Sequence, residues 1–180
     1  MNPPETIRTP RLILRMPTLQ DAEAIFSSYA QDAEITKYLT WRPHQNIEET
    51  KTFLRSRIAA WESKSEFSWV ITIPPNNRAA GMVGLRISGF RANFGYVLAR
   101  ACWGQGIMTE ALKAVIDWVG RQKEIRRIWA VCDVENMASA RVMEKCGLQK
   151  EGLLRNWMLH PNRSDQPRDC LCYARIFSHD

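Results

Sequence analysis

Two glycines, Gly104 and Gly106, stand directly ahead of a segment with helical apolar spacing in "RACWGQGIMTEALKAVIDWV". Segments with the period of strands flank it, "NFGYVLA" before and "RRIWAVCDV" after. Strand, glycine turn, helix over 105–120 and strand predict a β-α-β crossover, which sets its two strands side by side and roughly parallel. The strand near 93–99 is therefore expected beside the strand near 127–133.

The rest of the chain is arranged around that unit. "TPRLILRMP" reads as a strand closed by Pro17. "TLQDAEAIFSSYAQ" follows as a helix with a Thr18 cap and an apolar stripe through Leu19, Ala22, Ile25, Phe26 and Tyr29. A short helical piece near 32–38 precedes a second amphipathic helix after Asn46. From Phe67 the period changes. "FSWVITI" stops at the breaker "PPNN", and "AAGMVGLRIS" returns as its hairpin partner. Beyond the crossover, "NMASARVMEKC" reads as a helix ended by Gly147, and "LLRNWMLH" and "DCLCYARIFS" as two closing strands. Trp61, Trp69, Trp118 and Trp129 fall on core-facing patterns. The fold class expected is mixed α/β: one domain over 1–180, a central mostly antiparallel sheet with one crossover, and helices on both faces.

Composition narrows the chemistry. No apolar run approaches the ~18 residues of a membrane span, and "MNPPETIRTP" lacks the apolar core of a signal peptide. A cytoplasmic location without membrane contact is expected. Five cysteines without a regular framework read as free thiols. The pair in "DCLCYARIF" has no histidine nearby in sequence to complete a zinc site, so no metal is expected. The net charge of +6 and pI near 9.3 favour an anionic partner. The basic residues are scattered and not interleaved with aromatics, which argues against direct nucleic-acid binding.

A helix N-terminus offers unpaired N–H groups and the positive end of a dipole, so it binds phosphate. Glycines at 104 and 106 remove the side chains that would hold a phosphate off those groups, although a tight turn with close packing would also use them. Trp103 and Ile107 flank this turn and are expected to pack under it. Neither a third glycine nor a Lys-Ser/Thr pair follows, which excludes the dinucleotide and nucleotide phosphate loops. Downstream, "DVENMASARVMEKCG" has Asn136 as a helix cap, and places Ser139 and Met143 on one face. Two helix starts at one sheet edge would bracket a cleft.

At these residues a resemblance becomes specific. "GYVLARACWGQGIMTEAL", "VENMASARVMEKCGLQKEGLLR", the closing "RDCLCYARI" and the opening "TPRLILRMPTLQDAEAIF" resemble the GNAT superfamily of acetyl-CoA-dependent N-acetyltransferases. Within it they resemble the branch that acetylates the N-terminal residue of ribosomal proteins. The resemblance covers nearly the whole chain and implies acetyl-CoA as co-substrate. It implies that a backbone N–H of Tyr96–Val97–Leu98 bonds the thioester carbonyl, and puts Val97 and Leu98 against the coenzyme. Trp103, Gly104, Gln105, Gly106, Ile107, Met108 and Thr109 would cradle the pyrophosphate. Asn136 would bond the pantetheine arm, and Ser139 would stabilise or protonate the leaving thiolate. From pattern alone, Ser139 is an early-helix serine bonding its own backbone.

Two positions depart from the family. Ala101 stands where a Gln or Arg often precedes the first glycine by three residues, and Met143 stands where many relatives carry a tyrosine seven residues after the Asn. Val131 replaces a glutamate base, so the base is unassigned, with Glu66, His44 and His160 as candidates by residue type. The acceptor site is expected between the early helices and the late strand pair. Trp41 there can face a peptide N-terminus, stack on a planar molecule, or simply seal the helix pair. The reaction implied is direct attack of a primary amine on acetyl-CoA in a ternary complex. A protein N-terminus is the first acceptor, a small amine or aminated antibiotic the second, and a non-catalytic acyl-CoA-binding module the reading from another class. Monomer and dimer both remain open.

Overall fold

The computed structural model describes residues 2–179. Eight strands form one sheet in the order β1-β2-β3-β4-β5-β6-β8-β7. They are β1 (Thr6–Arg8), β2 (Ile13–Arg15), β3 (Phe67–Thr72), β4 (Ala79–Ser88), β5 (Arg91–Leu98), β6 (Arg127–Asp133), β7 (Gln149–Met158) and β8 (Arg168–Ile176). All neighbours are antiparallel except β5 and β6, the parallel pair expected from the crossover.

The opening segment differs from its reading as one strand. The residues 9–12 turn instead, and β1 and β2 pair with each other as a hairpin. Pro10 has no N–H for a ladder, and Thr9 closes the turn through its N–H to Leu12 O (3.0 Å) and its Oγ1, which accepts from Leu12 N–H (3.0 Å). Strand β7 starts at Gln149, ahead of the expected Leu153, and is broken by register shifts; Asn156 adopts a left-handed φ of 46° and its N–H donates to Asp169.

Helices cover both faces. On one side lies α1 (Ala22–Ile25), between a 3-10 turn (Leu19–Asp21) and a π turn (Phe26–Ala30). With it are α2 (Ala33–Thr36) and α3 (Ile47–Glu62), the latter capped by Asn46 Oδ1 accepting Glu49 N–H at 3.1 Å. Ile25, Tyr29 and Leu54 pack there on Val70 and Met82. On the other side are α4 (Ile107–Gly120) and α5 (Met137–Lys145). Helix α4 buries Ile107, Met108, Ala111, Leu112, Val115, Ile116 and Val119 against sheet residues that include Leu14, Ile71, Val83, Leu85 and Ile128. At about 1.5–3 kcal/mol for each large side chain, this packing holds α4 far more firmly than intrinsic propensity. Trp69 is fully buried, and Trp61 and Trp118 pack against the same core. Trp129 departs from the core reading: it lies on the half-exposed face of β6, alternating with buried Ile128 and Ala130. Among the described residues, no helix is long and apolar enough to cross a membrane.

Candidate active site

Strands β5 and β6 are paired only at Arg91–Arg127, Ala92–Ile128 and Asn93–Trp129. Beyond Asn93 they separate, so five residues of β5, from Phe94 to Leu98, keep β4 but have no partner on the other side. The parity of their peptide groups follows from two bonds. Phe90 C=O accepts from Arg126 N–H on the β6 side, and Ala99 N–H donates to Ala80 O on the β4 side. Successive residues alternate in direction, so the N–H groups of Tyr96 and Leu98 face the opening. The peptide groups of Val97 face β4, and its half-exposed side chain, on the α1–α3 face, is the part left to meet a ligand.

The turn at the end of β5 has the backbone shape of an anion site. Gly104 and Gly106 both take φ of +74°, the left-handed region that side chains resist, and Gly106 is the N-cap of α4. A Cβ on Gly104 would meet nothing within 4 Å, so the space above it is open. The first helical bond runs from Glu110 N–H to Gly106 O (3.0 Å), which leaves the N–H groups of Ile107, Met108 and Thr109 available. The Ile107 and Met108 side chains are core, so they can hold a ligand only through backbone. Trp103 is not under the turn as expected. It is 45% exposed, and its Nε1 donates to Leu98 O at 2.9 Å, which takes that carbonyl out of the opening. Gln105 Nε2 donates to Ala101 O at 2.7 Å. Arg11, from the β1–β2 turn, clamps the other side: Nη1 donates to Gln105 O (3.1 Å) and Nε to Glu110 (2.6 Å).

Helix α5 starts across the opening. Asn136 Oδ1 accepts Ser139 N–H at 3.1 Å, so its Nδ2 is the group left to donate to a ligand. The Ser139 hydroxyl does not bond its own helix. It lies 2.7 Å from the hydroxyl of Tyr96, which is also 3.1 Å from Ser139 O. Burial raises the Tyr96 pKa and pushes the neighbouring Cys132 thiol up to about 12 and Cys146 up to about 11. The Ser139 hydroxyl thus faces a phenol and, at Cys132, a thiol that both keep their protons at pH 7. Met143 is fully buried.

The three base candidates separate. Glu66 is held by Arg57 (2.7 Å) and Arg86 (2.8 Å) just before β3, beside the end of β4 farthest from the glycine turn. His160 is buried, its Nε2 3.8 Å from Asp133 and 3.9 Å from Cys170 Sγ. The fold therefore brings to the cysteine pair a histidine that is absent nearby in sequence, but Arg168 occupies Asp133, and among the described residues no group of three or more His, Cys, Asp and Glu can hold a metal. His44 is half-buried: Nδ1 lies 2.8 Å from Thr50 Oγ1, and Nε2 has no protein partner among the described residues. Burial lowers its pKa below 6.5 against an opposing pull from Glu49. Its ring packs at a tilt against Trp41 (5.1 Å between centroids, 41° between planes) and Phe53 (6.0 Å, 58°). Trp41 and Phe53 pack on the same cluster as Val97. Asn162, in the β7–β8 loop, donates to Thr36 O and Trp41 O, both at 2.8 Å, and ties the late strands to the early helices.

A sheet that opens between two parallel strands onto a glycine-started helix is the architecture of an N-acetyltransferase, and the sequence comparisons agree. The GNAT acetyltransferase domain model matches residues 11–149, and the chain belongs to that family. An uncharacterized N-acetyltransferase of Bacillus subtilis, YoaA, is 34% identical over 94% of this chain and 96% of its own length. A ribosomal-protein-alanine N-acetyltransferase of Escherichia coli is 24% identical over 87% of this chain and 84% of its own length. The solved structure of RimL, a ribosomal alpha-N-protein acetyltransferase in complex with coenzyme A, is similar with a TM-score of 0.84 at 25% identity, covering 98% of this chain and all of that one. Acetyltransferases of this family use acetyl-CoA.

Proposed function

We propose that this chain binds acetyl-CoA in the opening between β5 and β6 and transfers its acetyl group to the α-amino group of a protein N-terminus. The observation that carries the reading is the convergence of three elements on one opening: the outward N–H groups of Tyr96 and Leu98, the glycine turn, and the α5 start with Asn136 and Ser139. Pyrophosphate fits over Gly104 and Gly106 at the free N–H groups of α4. Pantetheine takes the place of the missing β6 partner, with Asn136 Nδ2 as a side-chain donor. The amine nitrogen attacks the thioester carbon, and the carbonyl oxygen gains charge that a backbone N–H of β5 stabilises. As the C–S bond breaks, the Ser139 O–H donates to the sulfur. The proton released by nitrogen passes to His44 or to water. An α-amino group, with a pKa near 8, needs only weak help of this kind.

Ribosomal-protein acetyltransferases among the relatives support a protein N-terminus as acceptor. The Trp41–His44–Phe53 group supports a second reading, a small amine with a planar portion that stacks there. Calorimetric titration with acetyl-CoA, followed by thiol release with N-terminal peptides and small planar amines, separates the two. Peptide-dependent release is expected. Release only with planar amines selects the second acceptor, binding without release from either class selects a non-catalytic module, and no binding of acetyl-CoA refutes the site.

The same assay across pH tests His44. Burial holds the His44 pKa below its ordinary value, so the acidic limb that His44 contributes to kcat/KM is expected on the acid side of that value. His44→Gln is expected to lower kcat at least about tenfold and remove that limb. An unaltered limb assigns the proton to another group.

A further inference from the structure

We propose that Tyr96 is a positioning residue for acyl transfer, which turns the Ser139 hydroxyl proton toward the leaving sulfur. The inference rests on the role given above to Ser139. Tyr96 lies three residues beyond the last β5–β6 pair, on the part of β5 that faces the opening. Its side chain leaves on the α4–α5 face, stacks on Phe94 (6.2 Å between centroids, 18° between planes) and reaches α5. There its oxygen meets both Ser139 Oγ (2.7 Å) and Ser139 O (3.1 Å).

The phenol has one proton and two acceptors within reach. If the proton goes to the Ser139 carbonyl, the short contact between hydroxyls requires Ser139 to donate to Tyr96, and no serine proton is left for the opening. If it goes to Ser139 Oγ, the serine proton is free to point at the coenzyme sulfur. Negative charge growing on that sulfur favours the second arrangement, and a hydroxyl that accepts one bond is a stronger donor in the next. Tyr96 holds its proton throughout, because burial disfavours a phenolate and the two thiols beside it are kept protonated as well. No proton leaves Tyr96; its bond changes acceptor.

Tyr96→Phe retains the ring and its stack on Phe94 and removes only the oxygen. The expected result is a fall in kcat of about tenfold, the size of one neutral hydrogen bond. The acetyl-CoA Kd and binding stoichiometry by calorimetry should stay as in the wild type, and the thermal midpoint should fall by no more than about 2–4 °C for the lost buried bond; kcat is expressed per binding site, so a partly unfolded sample does not imitate the effect. On a Ser139→Ala background, Tyr96→Phe should change kcat by less than about twofold, because the group it orients is gone. Equal losses in both backgrounds, or a weaker Kd with kcat unchanged, would overturn the assignment and leave Tyr96 a packing residue. If Ser139→Ala slows the reaction but Tyr96→Phe does not, only the role of Tyr96 fails. If Ser139→Ala itself leaves turnover intact, the role of Ser139 fails first and that of Tyr96 with it.

Discussion

Replacing Ser139 by alanine is expected to lower kcat by about 30- to 150-fold while acetyl-CoA affinity changes by less than about threefold. The sulfur is nearly neutral in the bound thioester and becomes anionic as the C–S bond breaks, so a donor placed there acts mainly in the transition state. A hydrogen bond to a charged acceptor contributes about 2–3 kcal/mol, which converts to that range of rate. Coenzyme affinity is expected to come instead from the glycine turn, the α4 N–H groups and the unpaired backbone edge of β5, and the Ser139 hydroxyl meets β5 only at the Tyr96 phenol. The Ser139 N–H that donates to the Asn136 side-chain oxygen belongs to the backbone, so this cap survives the substitution. Steady-state thiol release and calorimetry on one sample check both halves. A large loss of affinity at constant kcat would make Ser139 a coenzyme-binding residue only.

Arg168→Ala is expected to cost about 3 kcal/mol of unfolding free energy, or about 6–12 °C in the thermal midpoint of a chain of this size. Asp133 ends β6 and is only 1% exposed. Arg168 holds it in a two-bond fork, Nε to Oδ2 at 2.6 Å and Nη2 to Oδ1 at 3.1 Å, and Glu135 N–H adds a third bond at 2.9 Å. Burial by itself raises the Asp133 pKa, but the bonds from Arg168 outweigh it and hold the carboxyl below its ordinary range. With the folded pKa below the unfolded one, the stabilisation is complete above the unfolded carboxylate value and is lost as pH falls through the folded value. Without Arg168 the carboxyl loses the bonds that hold its pKa down, so the deficit of the variant should shrink as pH falls through the carboxylate range. Urea unfolding at about pH 7 and about pH 3, either side of the carboxylate range, measures it, and a deficit that is equal at both would show that Asp133 is not the charge at issue. The site is involved too, since Asn136 N–H donates to Asp133 O (2.9 Å) and this corner sets where α5 begins.

Much of the site was readable from local pattern. The left-handed φ at Gly104 and Gly106, the Asn136 and Asn46 caps and the β-α-β order are settled within a few residues of chain, where glycine, side-chain oxygens and periodicity act directly. What failed to read was nonlocal. Pro10 alone did not reveal a hairpin, because Thr9 and Arg11 are fixed by Glu110, about a hundred residues away. Trp103 looked like packing under the turn, yet its ring is drawn back to the Leu98 carbonyl, which is free only because β6 has left. Tyr96 read as a strand residue with a useful backbone, and nothing near it in sequence pointed to Ser139.

By itself, then, the amino-acid sequence determined the order of elements from the early helices onward, the glycine turn ahead of α4 and the family, because these depend on short-range geometry and on residues that stay adjacent. Only the tertiary structure decided which peptide groups face the opening, which histidine lies among Trp41 and Phe53, and which phenol meets the serine. The physical reason is register. A strand alternates its N–H groups and its side chains from one edge and face to the other, and pairing with β4 selects which set of β5 looks outward. That selection puts the Tyr96 and Leu98 N–H groups, and not those of Val97, beside the place where a thioester would lie.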